Sequence, residues 1–77
     1  MNTKAIGKRL IDLRGKRTQN EVASALGISV SALGMYERGE RMPRDEVKLA
    51  IANYYDVTVQ SIFFNSEDTK RVERPAD

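Results

Sequence analysis

Histidine, cysteine and tryptophan are absent from the 77-residue sequence. Without cysteine there can be no disulfide framework, thiolate nucleophile or cysteine-based zinc site. Without histidine the chain lacks the commonest general base and metal ligand. The acids and lysines that remain show no grouping typical of a nucleophile–base pair or a metal site. We therefore expect a protein that is not an enzyme and that uses no metal and no cofactor.

Long apolar runs are also missing. No stretch approaches the roughly 20 residues of a membrane span, and the first residues lack the apolar core of a signal peptide. The 77 residues are about half of a typical domain of ~150 residues, and a chain of this size buries only a small core. We expect one domain with no room for a separate oligomerisation or inducer domain, no membrane contact and a cytoplasmic location.

Charge is distributed unevenly along the chain. Residues 1–44 contain nine basic and four acidic side chains, a net +5, whereas residues 45–77 contain four basic and seven acidic ones, a net −3. A basic end is typical of a surface that faces nucleic acid. Chance clustering on a solvated surface is the alternative, and charge alone does not decide between them.

The spacing of apolar residues predicts an all-α chain. In residues 3–14, Ile6, Leu10 and Leu13 share one helical face. The same reasoning predicts further helices at residues 18–26, 29–37, 44–55 and 58–64. The last segment has β propensity, but its place after a short loop in a helical chain favours a helix. The residues expected in the core are Ile6, Leu10, Leu13, Val22, Leu26, Leu33, Leu49, Ile51 and Ile62.

Residues 65–77 differ from the rest because they are polar and charged, with Val72 as the one large apolar side chain. Such a composition cannot bury enough apolar surface to order itself. We expect a domain over residues 1–64 and a flexible tail over residues 65–77. Of the adjacent Phe63 and Phe64, one is expected to be exposed, where it is a candidate dimer contact.

The most informative segment is residues 18–39. Thr18 and Glu21 fit a capping box at the start of a short helix. Gly27 permits the left-handed turn that ends this helix, and Ser29 is suited to cap the next one. Two short helices joined by a glycine-centred turn form a helix-turn-helix, whose second helix lies in the DNA major groove.

The chain resembles the XRE/Cro-type helix-turn-helix regulators, a family that includes the lambdoid phage repressors and Cro proteins. The resemblance covers residues 5–64 and rests on an ordered set of matches rather than on one motif. The strongest are Thr18, Gln19, Leu26, Gly27, Ile28, Ser29, Tyr36, Glu37, Arg38, Gly39 and Pro43. The resemblance implies a five-helix bundle of the phage-repressor-like type. It also implies sequence-specific binding of double-stranded DNA by a homodimer at a pseudo-palindromic operator.

The resemblance also implies residue roles. The side chains expected to face DNA bases are Val30, Ser31, Gly34 and Met35. Those expected to contact phosphates are Thr18, Gln19, Ser29, Arg38, Arg41 and Arg44. Arg14 and Glu37 match a pair that forms a salt bridge between the first helix and the end of the third.

The sequence departs from the family pattern in several places. The connection from Leu13 to Gln19 is about two residues shorter than usual, and Arg17 stands where an apolar residue is common. Asp45 and Lys48 replace positions that are often apolar. In addition, none of the four base-facing positions carries the Arg, Lys, Asn or Gln that read guanine and adenine directly.

Two hypotheses follow from the uninformative base-facing positions. Phosphate contacts and DNA shape contribute more than usual to recognition, or the outer face of the third helix serves a protein partner. The leading function is a DNA-binding transcriptional regulator, a repressor that occludes polymerase. The alternative is an antitoxin-like protein-interaction module with weak DNA binding, whose tail folds on binding. RNA binding is not expected because no aromatic stacking platform is evident.

Overall fold

The computed structural model describes residues 2–64, and within this range the chain forms five helices and no strand. The all-α, five-helix prediction is therefore confirmed. The tail predicted over residues 65–77 lies outside the described residues. The helices are α1 (Thr3–Arg14), α2 (Gln19–Leu26), α3 (Val30–Glu37), α4 (Asp45–Tyr55) and α5 (Val59–Phe63).

Polar side chains cap the starts of most of these helices. The Asn2 side-chain oxygen accepts a hydrogen bond from the Ala5 amide at 3.1 Å. The hydroxyls of Thr18, Ser29 and Thr58 accept equivalent bonds at 3.0 Å at the starts of α2, α3 and α5. Each such cap stabilises its helix by about 1 kcal/mol. The helix starts predicted at these three hydroxyl residues are confirmed.

Two clusters of apolar side chains hold the helices together. The larger joins α1, α3, α4 and α5, and the smaller fills the angle between α2 and α3. The buried members of the larger cluster are Ile6, Leu10, Tyr36, Ile51, Ala52, Ile62 and Phe63. Those of the smaller are Val22, Ala23 and Leu33. Leu13 and Leu26, also expected in the core, are partly buried at its edge.

One residue expected in the core is not there. Leu49 is 58% exposed, so its prediction as a core residue is wrong. The inward side of α4 carries Ile51, which is buried, and Val47, which packs against the core. At 100° per residue, Leu49 lies about 200° around the helix from each of them. Its side chain therefore points away from the core.

Candidate nucleic-acid interface

The angle between α2 and α3 is set by small and apolar side chains. Gly27 ends α2 in the left-handed conformation, with φ at 72°, which glycine adopts without steric cost. Beyond this turn, Val22 and Ala23 of α2 pack against Leu33 of α3, and all three are at most 2% exposed. Because this side of α3 is buried against α2, the opposite side of α3 faces outward.

A buried carboxylate ties three helices together at the end of α3. The Glu37 side chain is 3% exposed, and its Oε2 accepts a hydrogen bond from Arg14 Nε at 2.7 Å. Its Oε1 accepts from Arg14 Nη2 at 3.2 Å and from Gln19 Nε2 at 2.8 Å. The bond to Glu37 raises the pKa of Arg14 above its ordinary value. The Arg14–Glu37 pairing implied by the family resemblance is therefore confirmed.

The backbones of α1 and α3 approach closely at Gly7. An ideal Cβ at this position would lie 2.3 Å from the carbonyl oxygen of Glu37. No side chain fits there without separating the two helices, since real Cβ atoms essentially never come that close. Gly7 thus fixes the end of α3 against α1. A glycine within a predicted helix was the only signal of this contact in the sequence.

The short connection between α1 and α2 is stabilised by Arg17. Its guanidinium carbon lies 5.6 Å from the ring centroids of both Tyr54 and Tyr55 on α4, a distance at which a cation and an aromatic ring attract each other. The Arg17 carbonyl also accepts a hydrogen bond from Arg14 Nη1 at 2.9 Å. The arginine thus packs on two aromatic rings of α4.

The hydroxyl groups that cap α2 and α3 share one geometry. Thr18 Oγ1 accepts from the Glu21 amide, and Ser29 Oγ accepts from the Ala32 amide, each at 3.0 Å. Both residues are exposed. A hydroxyl that accepts a hydrogen bond still has its own hydrogen to donate. Each of these helix starts can therefore offer an O–H group to an anion.

Of the four residues of α3 predicted to face outward, only some are exposed. Val30 is 40% exposed, Ser31 is exposed, and Met35 is half-buried. Gly34, predicted to face outward, is instead buried. The side chain of Arg38 lies over it, with Nη1 3.0 Å from the position of an ideal Cβ.

Arg38 is paired with Glu40 on the outside of the molecule. Arg38 Nε donates to Glu40 Oε2 at 3.1 Å, and Arg38 Nη2 donates to Glu40 Oε1 at 3.2 Å. The two side chains are 59% and 55% exposed. These hydrogen bonds lower the pKa of Glu40 and raise that of Arg38. The pair is exposed to salt, so its contribution to stability is small.

The other predicted phosphate contacts lie around α3. Arg41 and Arg44 are exposed in the segment between α3 and α4. Arg44 Nη1 lies 3.7 Å from Glu46 Oε2, with both side chains more than 70% exposed. Gln19 is half-buried, and its amide nitrogen is directed to Glu37. In this conformation the Gln19 side chain therefore connects α2 to the end of α3.

One side of α3 is buried and the other is exposed, with exposed hydroxyls at its start and arginines beyond its end. This arrangement is that of a helix-turn-helix DNA-binding domain. The helix-turn-helix family model matches residues 8–62. The chain belongs to this family of DNA-binding transcription regulators, as the sequence motifs indicated. Across residues 2–64, no helix is long and apolar enough to cross a membrane.

One relative is the HTH-type transcriptional regulator ImmR of Bacillus subtilis (strain 168). This chain is 35% identical to it over 71 residues, which cover 90% of this chain and 56% of the relative. The chain thus spans little more than half the length of that relative. No solved structure matches the chain.

Proposed function

We propose that this chain binds double-stranded DNA sequence-specifically in the cytoplasm and represses transcription by occluding polymerase. The observation that carries the proposal is α3, whose Leu33 side is buried against α2 while its Val30 and Ser31 side is exposed. A helix held in this way can enter a major groove without disturbing the core. The activity we propose is binding rather than catalysis.

Phosphate contacts would position α3 in the groove. We assign them to the hydroxyls of Thr18 and Ser29 and to the exposed guanidiniums of Arg41 and Arg44. Gln19, whose amide nitrogen is bonded to Glu37, would contribute its main-chain N–H at the start of α2. Such contacts fix register and carry no base information.

A selection of bound sequences from random duplex DNA tests this proposal. We expect enrichment of a pseudo-palindrome whose half-sites lie about 34 Å apart, one helical turn, because a dimer presents two copies of α3. Affinity for the enriched site should fall steeply with salt as counterions are released. Arg44→Ala should reduce the log–log salt slope by about 1, because the variant neutralises one phosphate fewer. A slope near zero for the unchanged protein would contradict the proposal.

We propose a second copy of this chain as the occupant of an apolar groove between α4 and α5. The groove has a volume of about 260 Å³ and is lined by Asp45, Lys48, Leu49, Val59 and Phe64. Leu49 is 58% and Phe64 41% exposed, as expected for one of the two phenylalanines. Asp45 and Lys48 also line the groove and pair with each other, with 3.8 Å between Lys48 Nζ and Asp45 Oδ1. Their opposite charges are therefore balanced within one chain, and the apolar side chains of the groove remain for a two-fold related copy.

The proposed dimer is tested by measuring the mass of the Leu49→Glu variant in solution by analytical ultracentrifugation. We expect this variant to be monomeric at concentrations where the unchanged chain is dimeric, because a charge would enter the apolar contact. Ile11→Glu is the matched control, since Ile11 is 43% exposed on α1, away from the groove. Equal association of all three proteins would exclude this groove as the interface.

A protein partner is the second candidate function, and the same groove is what favours it. An antitoxin-like module would present Leu49 and Phe64 to a different chain. In that case the unchanged protein would sediment as a monomer, and its DNA affinity would be weak and unselective. A dimer that binds DNA selectively and with a strong salt dependence would favour the DNA-binding regulator instead.

A further inference from the structure

Gly34 has two unusual features: it is a glycine within a helix, and the Arg38 side chain lies over it. It lies within α3, three residues after the exposed Ser31, yet glycine there weakens the helix relative to alanine. It is also buried, because the Arg38 guanidinium covers it, with Nη1 3.0 Å from an ideal Cβ. Any side chain at position 34 would crowd the space that the guanidinium uses.

The backbone beyond α3 holds Arg38 and Glu40 in a defined relation. The Gly39 amide donates to the Tyr36 carbonyl at 3.1 Å, and the Glu40 amide donates to the Met35 carbonyl at 2.9 Å. With Gly39 at a φ of 74°, this is a Schellman motif. The turn brings Glu40 beside Arg38, where the carboxylate accepts from Nε and Nη2.

The guanidinium keeps donors after this pairing. Arginine has five N–H groups, and Glu40 uses one on Nε and one on Nη2. The remaining N–H groups on Nη1 and Nη2 form a second edge with the spacing that matches O6 and N7 of guanine. The side chain as a whole is 59% exposed, so a ligand can approach the guanidinium.

Arg38 also shares a helical side with the outward residues. Positions 31, 34 and 38 are three and four residues apart, which places them in one row on α3 and its first residue beyond. The row contains Ser31, then Gly34, which has no side chain, and then Arg38, whose guanidinium lies over Gly34. A donor in this row faces the same groove as Ser31.

We propose that Arg38, seated over Gly34 and oriented by Glu40, reads a guanine in the major groove. This inference rests on the proposed DNA binding and names the group that supplies its base specificity. It replaces the phosphate role expected for Arg38. Arg38 thereby provides the strong donor that Val30, Ser31 and Met35 lack.

The experiment is a random-library DNA selection run in parallel with the unchanged chain, Arg38→Ala, Gly34→Ala and Arg44→Ala. For Arg38→Ala we expect one guanine in each half-site to lose its preference by about tenfold to a hundredfold, with the other positions retained. For Gly34→Ala we expect a weakened preference at that same guanine, with a melting temperature at or above that of the unchanged chain. Arg44→Ala, the phosphate control, should lower affinity for all sequences alike.

The outcomes separate the inference from the proposal beneath it. If the unchanged chain enriches no sequence, the proposed function fails and the inference falls with it. If the unchanged chain enriches a site and Arg38→Ala enriches the same one at uniformly lower affinity, only the inference is overturned, and Arg38 is a phosphate contact. If Arg38→Ala loses the guanine but Gly34→Ala retains it fully, the seating over Gly34 is refuted.

Discussion

The inner side of α3 carries Leu33, Tyr36 and Glu37, all less than 10% exposed, whereas solvent reaches Val30 and Ser31 on its outer side. On the inner side both oxygens of the Glu37 carboxylate have a partner on α1 or α2. On the outer side the charged pair of Arg38 and Glu40 is open to solvent. Substitutions on α3 should therefore separate folding from recognition: inner ones should change stability, and outer ones should change DNA selection.

The largest expected difference is between Leu33→Ala and Val30→Ala. Leu33 is 2% exposed between α2 and α3, so its truncation should lower the free energy of unfolding by about 2–5 kcal/mol. Val30 is 40% exposed, and its truncation should change stability by no more than about 0.5 kcal/mol. Urea denaturation followed by circular dichroism measures both. Similar losses for the two variants would show that the inner and outer sides of α3 contribute equally to folding.

Two glycines offer the next contrast, because each is replaced by alanine inside a helix. Gly7→Ala should destabilise by about 1–3 kcal/mol, since the new methyl group meets the backbone of Glu37 at 2.3 Å. Gly34→Ala should gain up to about 1 kcal/mol from helix propensity, because its methyl group meets only the far end of the Arg38 side chain. Thermal melts of the pair decide this, and a stabilising Gly7→Ala would contradict the close approach of α1 and α3.

Two glutamates extend the contrast to charged groups. Glu37→Ala should lower stability by about 1–3 kcal/mol, because Arg14 and Gln19 lose the acceptor for their hydrogen bonds. Glu40→Ala should leave stability unchanged within error, because its pair with Arg38 is exposed. Denaturation at low and at high salt measures both. An equal loss for the two would show that burial of the Glu37 cluster is unimportant.

The smallest effect concerns the ionisation of Glu40. Its pKa should lie below the ordinary 4.5, because Arg38 donates two hydrogen bonds to the carboxylate. The pair therefore persists above this lowered pKa and is lost as pH falls through it. Carboxyl-carbon NMR titration measures the value, and Arg38→Ala should return it towards 4.5. An unchanged pKa in that variant would show that the pair is not formed in solution.

Much of this arrangement could be predicted because its signals are local in the sequence. Apolar spacing predicts the helices, and Thr18, Ser29 and Thr58 mark their starts. The motifs of the family also imply the pairing of Arg14 with Glu37. The helices and their starts depend on residue type and on spacing along one or two turns, whereas the pairing joins residues 23 positions apart and is implied by the family resemblance.

The features that could not be predicted depend on where long side chains settle after packing. Arg17 lies on Tyr54 and Tyr55 of a distant helix. Arg38 folds back over Gly34, which is why a position that is outward by register is buried. The apolar spacing of the sequence cannot predict such placements, because an arginine has several rotamers that reach different neighbours.

The most direct measurement of the central claim is DNA selection with a variant whose outer side alone is changed, Val30→Ala with Ser31→Ala and Met35→Ala. The account predicts a melting temperature within a few degrees of the unchanged chain and a selected half-site altered at the base pairs that these residues face. An identical selected half-site from the two proteins would contradict the account, because it would mean that Val30, Ser31 and Met35 take no part in reading DNA.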